Sequence, residues 1–170
     1  MYQRSPHSTK KIQGNLDYLR SVLRDGDSLL DAGCCEGHLY DNLGHENYTG
    51  VDAVQANIDV AKRRQPEVDF RCANIFDLDG KWDIVFCCRV LMHLPDYAGN
   101  VEKLRRLTRQ KLLVCVPIQH DSVEVEDSGV EFRRYSRETI FATNPEAVFK
   151  HGQYSTVVYG PAAVGSNVNS

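Results

Sequence analysis

The sequence predicts an α/β fold in which helices cover both faces of a mostly parallel sheet. Apolar runs of strand length alternate with stretches whose apolar residues recur at helical spacing, and glycine, proline or aspartate separates them. Of the 170 residues, 42% are hydrophobic and 25% are charged, which is ordinary for a globular domain with its own core. We therefore predict a single domain over residues 1–170, with a core at about 9–160 and a flexible tail at 161–170.

The predicted elements follow one another along the chain. Ile12, Leu16, Leu19 and Leu23 are spaced as on one helix face, which predicts a helix at 9–24. Further helices are predicted after Gly33 and at 56–64, 97–109 and 136–142, and strands at 28–31, 48–52, 68–73, 82–88 and 111–116. Two last strands, 147–150 and 156–159, are predicted to form a hairpin-like pair.

This alternation of strands and helices also predicts where a ligand binds. Right-handed crossovers between parallel strands bring every strand-to-helix loop to one edge of the sheet. Ligands bind in open α/β sheets at that edge, beyond the carboxyl ends of the strands. We therefore look for functional residues directly after each strand.

Composition disfavours several classes of protein. The net charge is −3, whereas a dedicated nucleic-acid-binding domain is more often strongly basic. The apolar runs are too short to cross a bilayer, and the N-terminal residues have no apolar core, so we expect a cytoplasmic protein without a secretory signal. None of the six cysteines forms a Cys-x-x-Cys pair, so we expect buried free thiols and no metal site.

A glycine-bearing turn follows the first predicted strand, in the segment from Leu29 to Leu39. Gly33 and Gly37 lack side chains, which lets a ligand approach the backbone at the start of the next helix. Their spacing differs from the Gly-x-Gly-x-x-Gly that dinucleotide-binding oxidoreductases prefer.

Asp52 ends the second predicted strand, about twenty residues after the turn. At this spacing an acidic side chain can accept hydrogen bonds from ribose hydroxyls. The alternative is that Asp52 caps the helix that follows it.

Four ordered motifs resemble those of class I S-adenosylmethionine-dependent methyltransferases, in their small-molecule branch. They are Asp31-Ala-Gly-Cys-Cys-Glu-Gly37, Gly50-Val-Asp52, Arg71-Cys-Ala-Asn-Ile75, and Trp82-Asp-Ile-Val-Phe-Cys-Cys-Arg-Val-Leu-Met-His-Leu94. The resemblance covers residues 9–118 well and 130–160 loosely. It implies a Rossmann-like three-layer sandwich with a mostly parallel seven-stranded sheet and an antiparallel C-terminal hairpin strand. It also implies methyl transfer from S-adenosylmethionine, which leaves S-adenosylhomocysteine.

The resemblance assigns cofactor contacts to residues that match the family's motifs. Asp31 and the main-chain carbonyl of Cys87 would face the methionine amino group, and Asp52 would hold the ribose hydroxyls. Asn74 stands where the family often has an aspartate facing the adenine amino group, and its carbonyl can accept the same hydrogen bond. The remaining predicted contacts are Gly33, Cys34, Cys35 and Gly37 in the turn, and Ala53 and Ile75 beside the adenine.

Two departures from the family pattern affect these predictions. Cys35 replaces the middle glycine of the turn and places a side chain near the sulfonium. Cys88-Arg89-Val90-Leu91 stands where amino-group methylases of nucleic acids have Asn-Pro-Pro-Tyr, which argues against a nucleic-acid acceptor.

The sequence gives weaker evidence for how the methyl acceptor is bound and activated than for how the cofactor is bound. His93 follows the fourth strand and is the candidate general base, although it could instead pack or cap the next helix. Arg133, Arg134 and Arg137 could bind an anionic acceptor, or could pair with the preceding acidic stretch on the surface.

The sequence leaves the acceptor unidentified, with a small molecule favoured, and leaves the oligomeric state open. No membrane partner is expected. A methyltransferase-like module that binds cofactor or a partner without turnover is the main alternative. An NAD-dependent oxidoreductase is the second alternative.

Overall fold

The computed structural model describes residues 12–163 and shows a sheet between two layers of helices. The helices are α1 Gln13–Val22, α2 His38–Leu43, α3 Gln55–Arg64, α4 Tyr97–Arg106 and α5 Arg137–Phe141, with single 3₁₀ turns at Ile75–Asp77 and Leu91–His93. The predicted start of the first helix at 9–11 and the predicted tail beyond 163 lie outside the described residues. No helix between residues 12 and 163 is long and apolar enough to span a membrane.

Seven strands form the main sheet in the order β3-β2-β1-β4-β5-β9-β8. The strands are β1 Leu29–Ala32, β2 Tyr48–Asp52, β3 Asp69–Cys72, β4 Trp82–Cys88, β5 Thr108–Val116, β6 Ser122–Val125, β7 Glu131–Arg134, β8 Ala147–His151 and β9 Tyr154–Tyr159. Strands β1 to β5 pair in parallel, and β9 runs antiparallel to both β5 and β8. The predicted fold, including the antiparallel C-terminal hairpin strand, is confirmed.

The core lies in two apolar clusters, one on each face of the sheet. Residues of β1 alternate between them, so that Leu30 contributes to the face covered by α4 and Leu29 to the face covered by α1 and α3. Both residues are fully buried, as expected for strands of a sheet that is covered on both sides. The strand ends are thereby held rigidly at one edge, where the predicted site residues lie.

Two neighbouring boundaries differ from the prediction by three residues because a buried threonine begins a strand early. Helix α4 ends at Arg106 rather than at 109, and β5 begins at Thr108 rather than at 111. Thr108 is fully buried and donates from Oγ1 to the Leu104 carbonyl at 2.9 Å, which satisfies its hydroxyl at the helix end. The charged residues that follow it concealed the start of this strand in the sequence.

A second, two-stranded sheet was not predicted. Strands β6 and β7 form an antiparallel hairpin with Ser122 opposite Arg134 and Val125 opposite Glu131. An isolated bridge between Ile118 and Tyr135 and a hydrogen bond from Gln119 N to the Tyr135 carbonyl at 2.9 Å join the hairpin to the chain after β5. The hairpin therefore stands at the carboxyl edge of the main sheet.

The chain after β9 is fastened to helix α4. Arg105 donates from Nε to the Gly160 carbonyl at 3.1 Å and from its terminal nitrogen to the Pro161 carbonyl at 3.1 Å. Ala162 N donates to the Arg105 carbonyl at 3.2 Å. The first residues of the segment predicted as flexible are thus hydrogen-bonded.

Candidate cofactor and acceptor site

The turn after β1 lies at the centre of the carboxyl edge of the sheet. Gly33 has φ +89°, and a Cβ atom built on it would collide with Cγ2 of Val90. The N–H groups of Gly33 and Cys34 both donate to the Val51 carbonyl, at 2.8 and 3.0 Å, which ties the turn to β2. The turn is therefore fixed in a conformation that suits glycine, and Val90 fills the space that a side chain at Gly33 would need.

Asp52 connects the turn to the helix that follows β2. Its Oδ2 accepts from Cys35 N at 2.9 Å, and its Oδ1 accepts from Val54 N at 2.9 Å and from Asn57 Nδ2 at 3.2 Å. The residue is 8% exposed. A carboxylate has about four acceptor positions, so these three bonds leave room for a ribose hydroxyl on Oδ2. Asp52 thus holds the N-cap residue Val54 but accepts from no backbone N–H of the helix Gln55–Arg64 itself, and the ribose contact stays a prediction.

Asp31 lies beneath the turn and is almost fully buried. Its Oδ2 accepts a hydrogen bond from the Tyr48 hydroxyl at 2.7 Å. Burial raises the pKa of the Tyr48 phenol, and the Asp31 charge raises it further, so Tyr48 stays a neutral donor. Tyr48 thereby orients the carboxylate, a role that sequence reasoning missed because a tyrosine in a buried strand is indistinguishable from a core residue.

The cysteines of the site act as small side chains. Burial raises the pKa of the Cys34 and Cys87 thiols, so neither is a thiolate nucleophile. Cys35 has φ +50°, the left-handed region that glycine favours, and its side chain is half-buried. All six cysteines are free, and the described part of the chain contains no group of three potential metal ligands.

Asn74 stands exposed at the end of β3, as the adenine-facing prediction requires. Its Oδ1 accepts from Phe76 N at 3.1 Å and caps the 3₁₀ turn Ile75–Asp77. An amide oxygen has a second lone pair, so this cap is compatible with a contact to the adenine amino group. The neighbouring Ile75 is buried and Ala53 is exposed.

We expect Asn74→Leu to weaken cofactor binding while Asn74→Asp keeps most of the affinity. The leucine removes the acceptor oxygen, whereas the aspartate retains it for both Phe76 N and the adenine. Loss of one neutral hydrogen bond should cost about 0.5–1.5 kcal/mol. Calorimetric titration of S-adenosylhomocysteine into both variants measures the difference, and equal affinities would mean that another residue binds the adenine amino group.

His93 is held by the unpredicted hairpin. Its Nδ1 lies 3.0 Å from the Glu131 carbonyl, and its ring meets the edge of Phe132 at a centroid distance of 5.8 Å. From the same side, the Tyr135 hydroxyl donates to the Leu91 carbonyl at 2.7 Å. Strand β7 therefore holds the loop after β4 in place, and with it the imidazole.

The three predicted arginines have different surroundings. Arg133 pairs with Glu131, is 15% exposed in its side chain, and has one buried guanidinium nitrogen without a hydrogen-bond partner. Arg134 pairs with Glu124 and lies over the Phe132 ring, and Arg137 is exposed over Phe141 of its own helix. Only Arg133 of the three combines a buried cation with an unused donor.

The residues at this edge fit S-adenosylmethionine. The strand ends supply a partly exposed glycine-bearing turn, a carboxylate with a remaining acceptor position, and an amide carbonyl, which suit the methionine, ribose and adenine parts of that molecule. Cys35 takes the left-handed conformation that glycine favours in this turn.

Comparisons with known proteins agree with this geometry. A family model described as a methyltransferase domain matches residues 30–115, half of the 170-residue chain. The chain belongs to this family. Ubiquinone biosynthesis O-methyltransferase of Pseudomonas aeruginosa (strain UCBPP-PA14) is 32% identical over 94 residues, 49% of this chain and 40% of that protein. The chain thus spans less than half the length of this curated relative.

Solved structures share the fold at low identity. 1,6-didemethyltoxoflavin-N1-methyltransferase of Burkholderia thailandensis, solved with bound 1,6-didemethyltoxoflavin and S-adenosylhomocysteine, is 18% identical with a TM-score of 0.69, covering 96% of this chain and 93% of that one. Magnesium protoporphyrin IX methyltransferase of Synechocystis PCC 6803, solved with S-adenosylmethionine, is 18% identical with a TM-score of 0.68. The match covers 95% of this chain and 87% of that one. By family the chain is a methyltransferase domain, as predicted, and it shares its fold with structures that were solved with S-adenosylmethionine or S-adenosylhomocysteine.

Proposed function

We propose that this domain transfers a methyl group from S-adenosylmethionine to an oxygen of a small, anionic acceptor. The observation that carries the proposal is the β6–β7 hairpin, which holds His93 and presents Arg133 at the carboxyl edge of the sheet. Oxygen as the acceptor atom is supported by the O-methyltransferase relative. The bound cofactor would supply an activated methyl group on a sulfonium.

His93 is suited to remove the hydroxyl proton. Because the Glu131 carbonyl can only accept, the 3.0 Å contact requires that Nδ1 carries the hydrogen. In the neutral ring Nε2 then has a free lone pair, which is the form a general base needs. As the new oxygen–methyl bond forms and the sulfur–methyl bond breaks, the acceptor proton would move to Nε2. The ring is exposed, so an acceptor can reach it.

Arg133 is suited to hold an anionic group of the acceptor. One of its terminal nitrogens pairs with Glu131, and the other is buried and without a partner within residues 12–163. An unsatisfied buried donor of a charged group is costly, so a ligand that accepts from it gains binding free energy. Positioning of the acceptor by such a contact can account for much of the rate of a displacement reaction.

We expect Arg133→Gln to raise the acceptor's Michaelis constant while cofactor affinity stays unchanged. Loss of a charged hydrogen bond should cost about 1.5–3 kcal/mol, or about tenfold or more. Arg137→Gln removes the same charge from an exposed position over Phe141 and is the matched control. Steady-state kinetics measures the Michaelis constant for the acceptor in both variants, and equal values would contradict the assignment.

Transfer of a radiolabelled methyl group from S-adenosylmethionine tests the proposed reaction directly. The purified protein is offered pools of small molecules that carry a hydroxyl together with a carboxylate, matched to pools in which the carboxylate is an amide. We expect label in the carboxylate pools alone. Equal transfer to the amide pools would contradict an anionic acceptor.

A cofactor-binding module without turnover is the second candidate. It is favoured by Cys35, whose side chain stands in the turn at φ +50° where the family has glycine. Tight binding of S-adenosylhomocysteine without transfer into any pool would support this candidate. Cys35→Gly would then be expected to restore transfer if the side chain is what prevents it.

A further inference from the structure

A buried hydroxyl bridges both ends of the 3₁₀ turn that carries His93. Tyr135 directly follows β7, and its hydroxyl lies 2.7 Å from the Leu91 carbonyl and 3.1 Å from the Leu94 carbonyl. Leu91 is the first residue of the turn, and Leu94 is the first residue after it. The hydroxyl therefore contacts the loop after β4 on both sides of His93.

The ring of Tyr135 is itself held in the core. It is almost fully buried and packs on the Tyr97 ring at a centroid distance of 4.5 Å. The backbone is bonded on both sides, since Gln119 N donates to the Tyr135 carbonyl at 2.9 Å and Ser136 N donates to the Asp121 carboxylate at 2.7 Å. The hydroxyl is thus attached to a side chain that has little freedom to move.

The Tyr135 hydroxyl is a neutral donor at ordinary pH. Burial raises the pKa of Tyr135 to about 12, although the charge of Arg133 opposes the shift. A carbonyl oxygen can only accept, so the phenol donates its one hydrogen to the pair of carbonyls. Without the hydroxyl, the loop would lose this link to the core.

The turn that Tyr135 holds is the support of the proposed base. His93 N donates to the Val90 carbonyl at 2.9 Å, and the His93 Nδ1 lies 3.0 Å from the Glu131 carbonyl. Glu131 begins β7 and Tyr135 directly follows it. One segment of chain therefore contacts both the imidazole and the backbone from which the imidazole projects.

The tautomer of His93 depends on how exactly the turn is placed. A neutral imidazole carries its hydrogen on either nitrogen, and the partner of one nitrogen decides which. A shift of the turn by about 1 Å would stretch the contact with Glu131 beyond hydrogen-bond length. The hydrogen would then also occupy Nε2, and in those molecules Nε2 would have no lone pair for a proton.

We propose that Tyr135 is a positioning residue for methyl transfer, whose hydroxyl keeps the His93 hydrogen on Nδ1 and leaves the Nε2 lone pair free for the acceptor proton. Tyr135 acts through the loop and exchanges no proton with a ligand. The inference rests on the proposed function for the role of His93 as the base. The tautomer itself can be measured without any acceptor.

Tyr135→Phe removes the hydroxyl and keeps the ring. Tyr97→Phe is the matched control, because Tyr97 is also almost fully buried and lies in the same apolar cluster. Its hydroxyl bonds to the Tyr159 hydroxyl at 3.0 Å rather than to the loop after β4. Each variant loses one buried hydrogen bond, so thermal unfolding should show a similar fall in Tm for both.

Nitrogen-15 spectra of the imidazoles report the tautomer at alkaline pH, where histidine is neutral. His93→Gln identifies the His93 signals. The wild-type protein and Tyr97→Phe should carry the hydrogen on Nδ1, whereas Tyr135→Phe should show both tautomers. A Tyr135→Phe spectrum like that of the wild type would overturn the proposal. A wild-type protein with both tautomers would overturn it as well, and that result needs no variant to fold.

Steady-state kinetics gives a second readout once an acceptor is in hand. Tyr135→Phe should lower kcat about tenfold or more and leave the acceptor's KM within about threefold, since a misplacement of about 1 Å can cost about a hundredfold in rate. The loss should shrink at high pH, where the acceptor hydroxyl ionises without a base. A loss of kcat that is the same at every pH would mean that Tyr135 only supports the fold.

The two proposals fail separately. If His93→Gln kept the wild-type kcat, the proposed proton transfer would be wrong, and the spectra would still decide whether Tyr135 fixes the ring. If His93→Gln lost activity while Tyr135→Phe kept the wild-type tautomer and kcat, His93 would remain the base. The role assigned to Tyr135 would then be wrong.

Discussion

Asp52→Ala is expected to lower the affinity for S-adenosylmethionine more than tenfold. The carboxylate would lose its contacts to the ribose hydroxyls, and hydrogen bonds to a charged acceptor contribute about 1.5–3 kcal/mol each. The variant also releases Cys35 N from its 2.9 Å bond to Oδ2, so the glycine-bearing turn loses an anchor that it needs to meet the ligand. Calorimetric titration gives the affinity, and unfolding by heat gives the accompanying loss of stability.

Asn57→Ala is the matched control for this experiment. Asn57 donates to Oδ1 of the same carboxylate at 3.2 Å but leaves Oδ2 and the Cys35 contact intact. It should therefore change the affinity little. If Asn57→Ala lost as much affinity as Asp52→Ala, or if Asp52→Ala bound normally, the ribose assignment would be wrong and Asp52 would act only through its bonds to Cys35, Val54 and Asn57.

The layout of the sheet could be predicted because local signals agree with the tertiary structure there. Leu29, Leu30, Ile84 and Val85 lie in short apolar runs that are buried from both sides, and each run ends at a glycine or a polar residue. Such runs fit only the inner strands of a covered sheet. Strand β5 shows the limit of this reasoning. It begins at Thr108 and includes Arg109 and Lys111, whose charges in the sequence suggest the end of a helix.

The β6–β7 hairpin was missed although the sequence carries a signal for it. Val123 and Val125 alternate with glutamates, and Gly129 stands at φ +82° in the turn before β7. Val123 and Val125 are 56% and 66% exposed, so this hairpin has no buried apolar face. The alternation of apolar and polar residues is therefore a weak signal for a strand here. Because the acidic residues of this stretch also fit a solvated surface, the sequence does not predict the contact between His93 and Glu131.

Gly33→Ala is expected to destabilise the protein more than Gly26→Ala, which changes a glycine in a turn with open space around it. Gly33 and Gly26 have almost the same φ, +89° and +86°, but a Cβ atom meets Val90 at the first and nothing within 4 Å at the second. Both variants should lose about 1–2 kcal/mol for the left-handed backbone. Gly33→Ala should lose a further 1–3 kcal/mol, roughly, because Val90 and the loop that carries His93 must move. Chemical denaturation measures the two free energies of unfolding, and titration with S-adenosylhomocysteine should show weaker binding for Gly33→Ala alone. Equal free energies of unfolding of the two variants would mean that Val90 can move aside without cost. The turn would then not be packed tightly against the loop after β4.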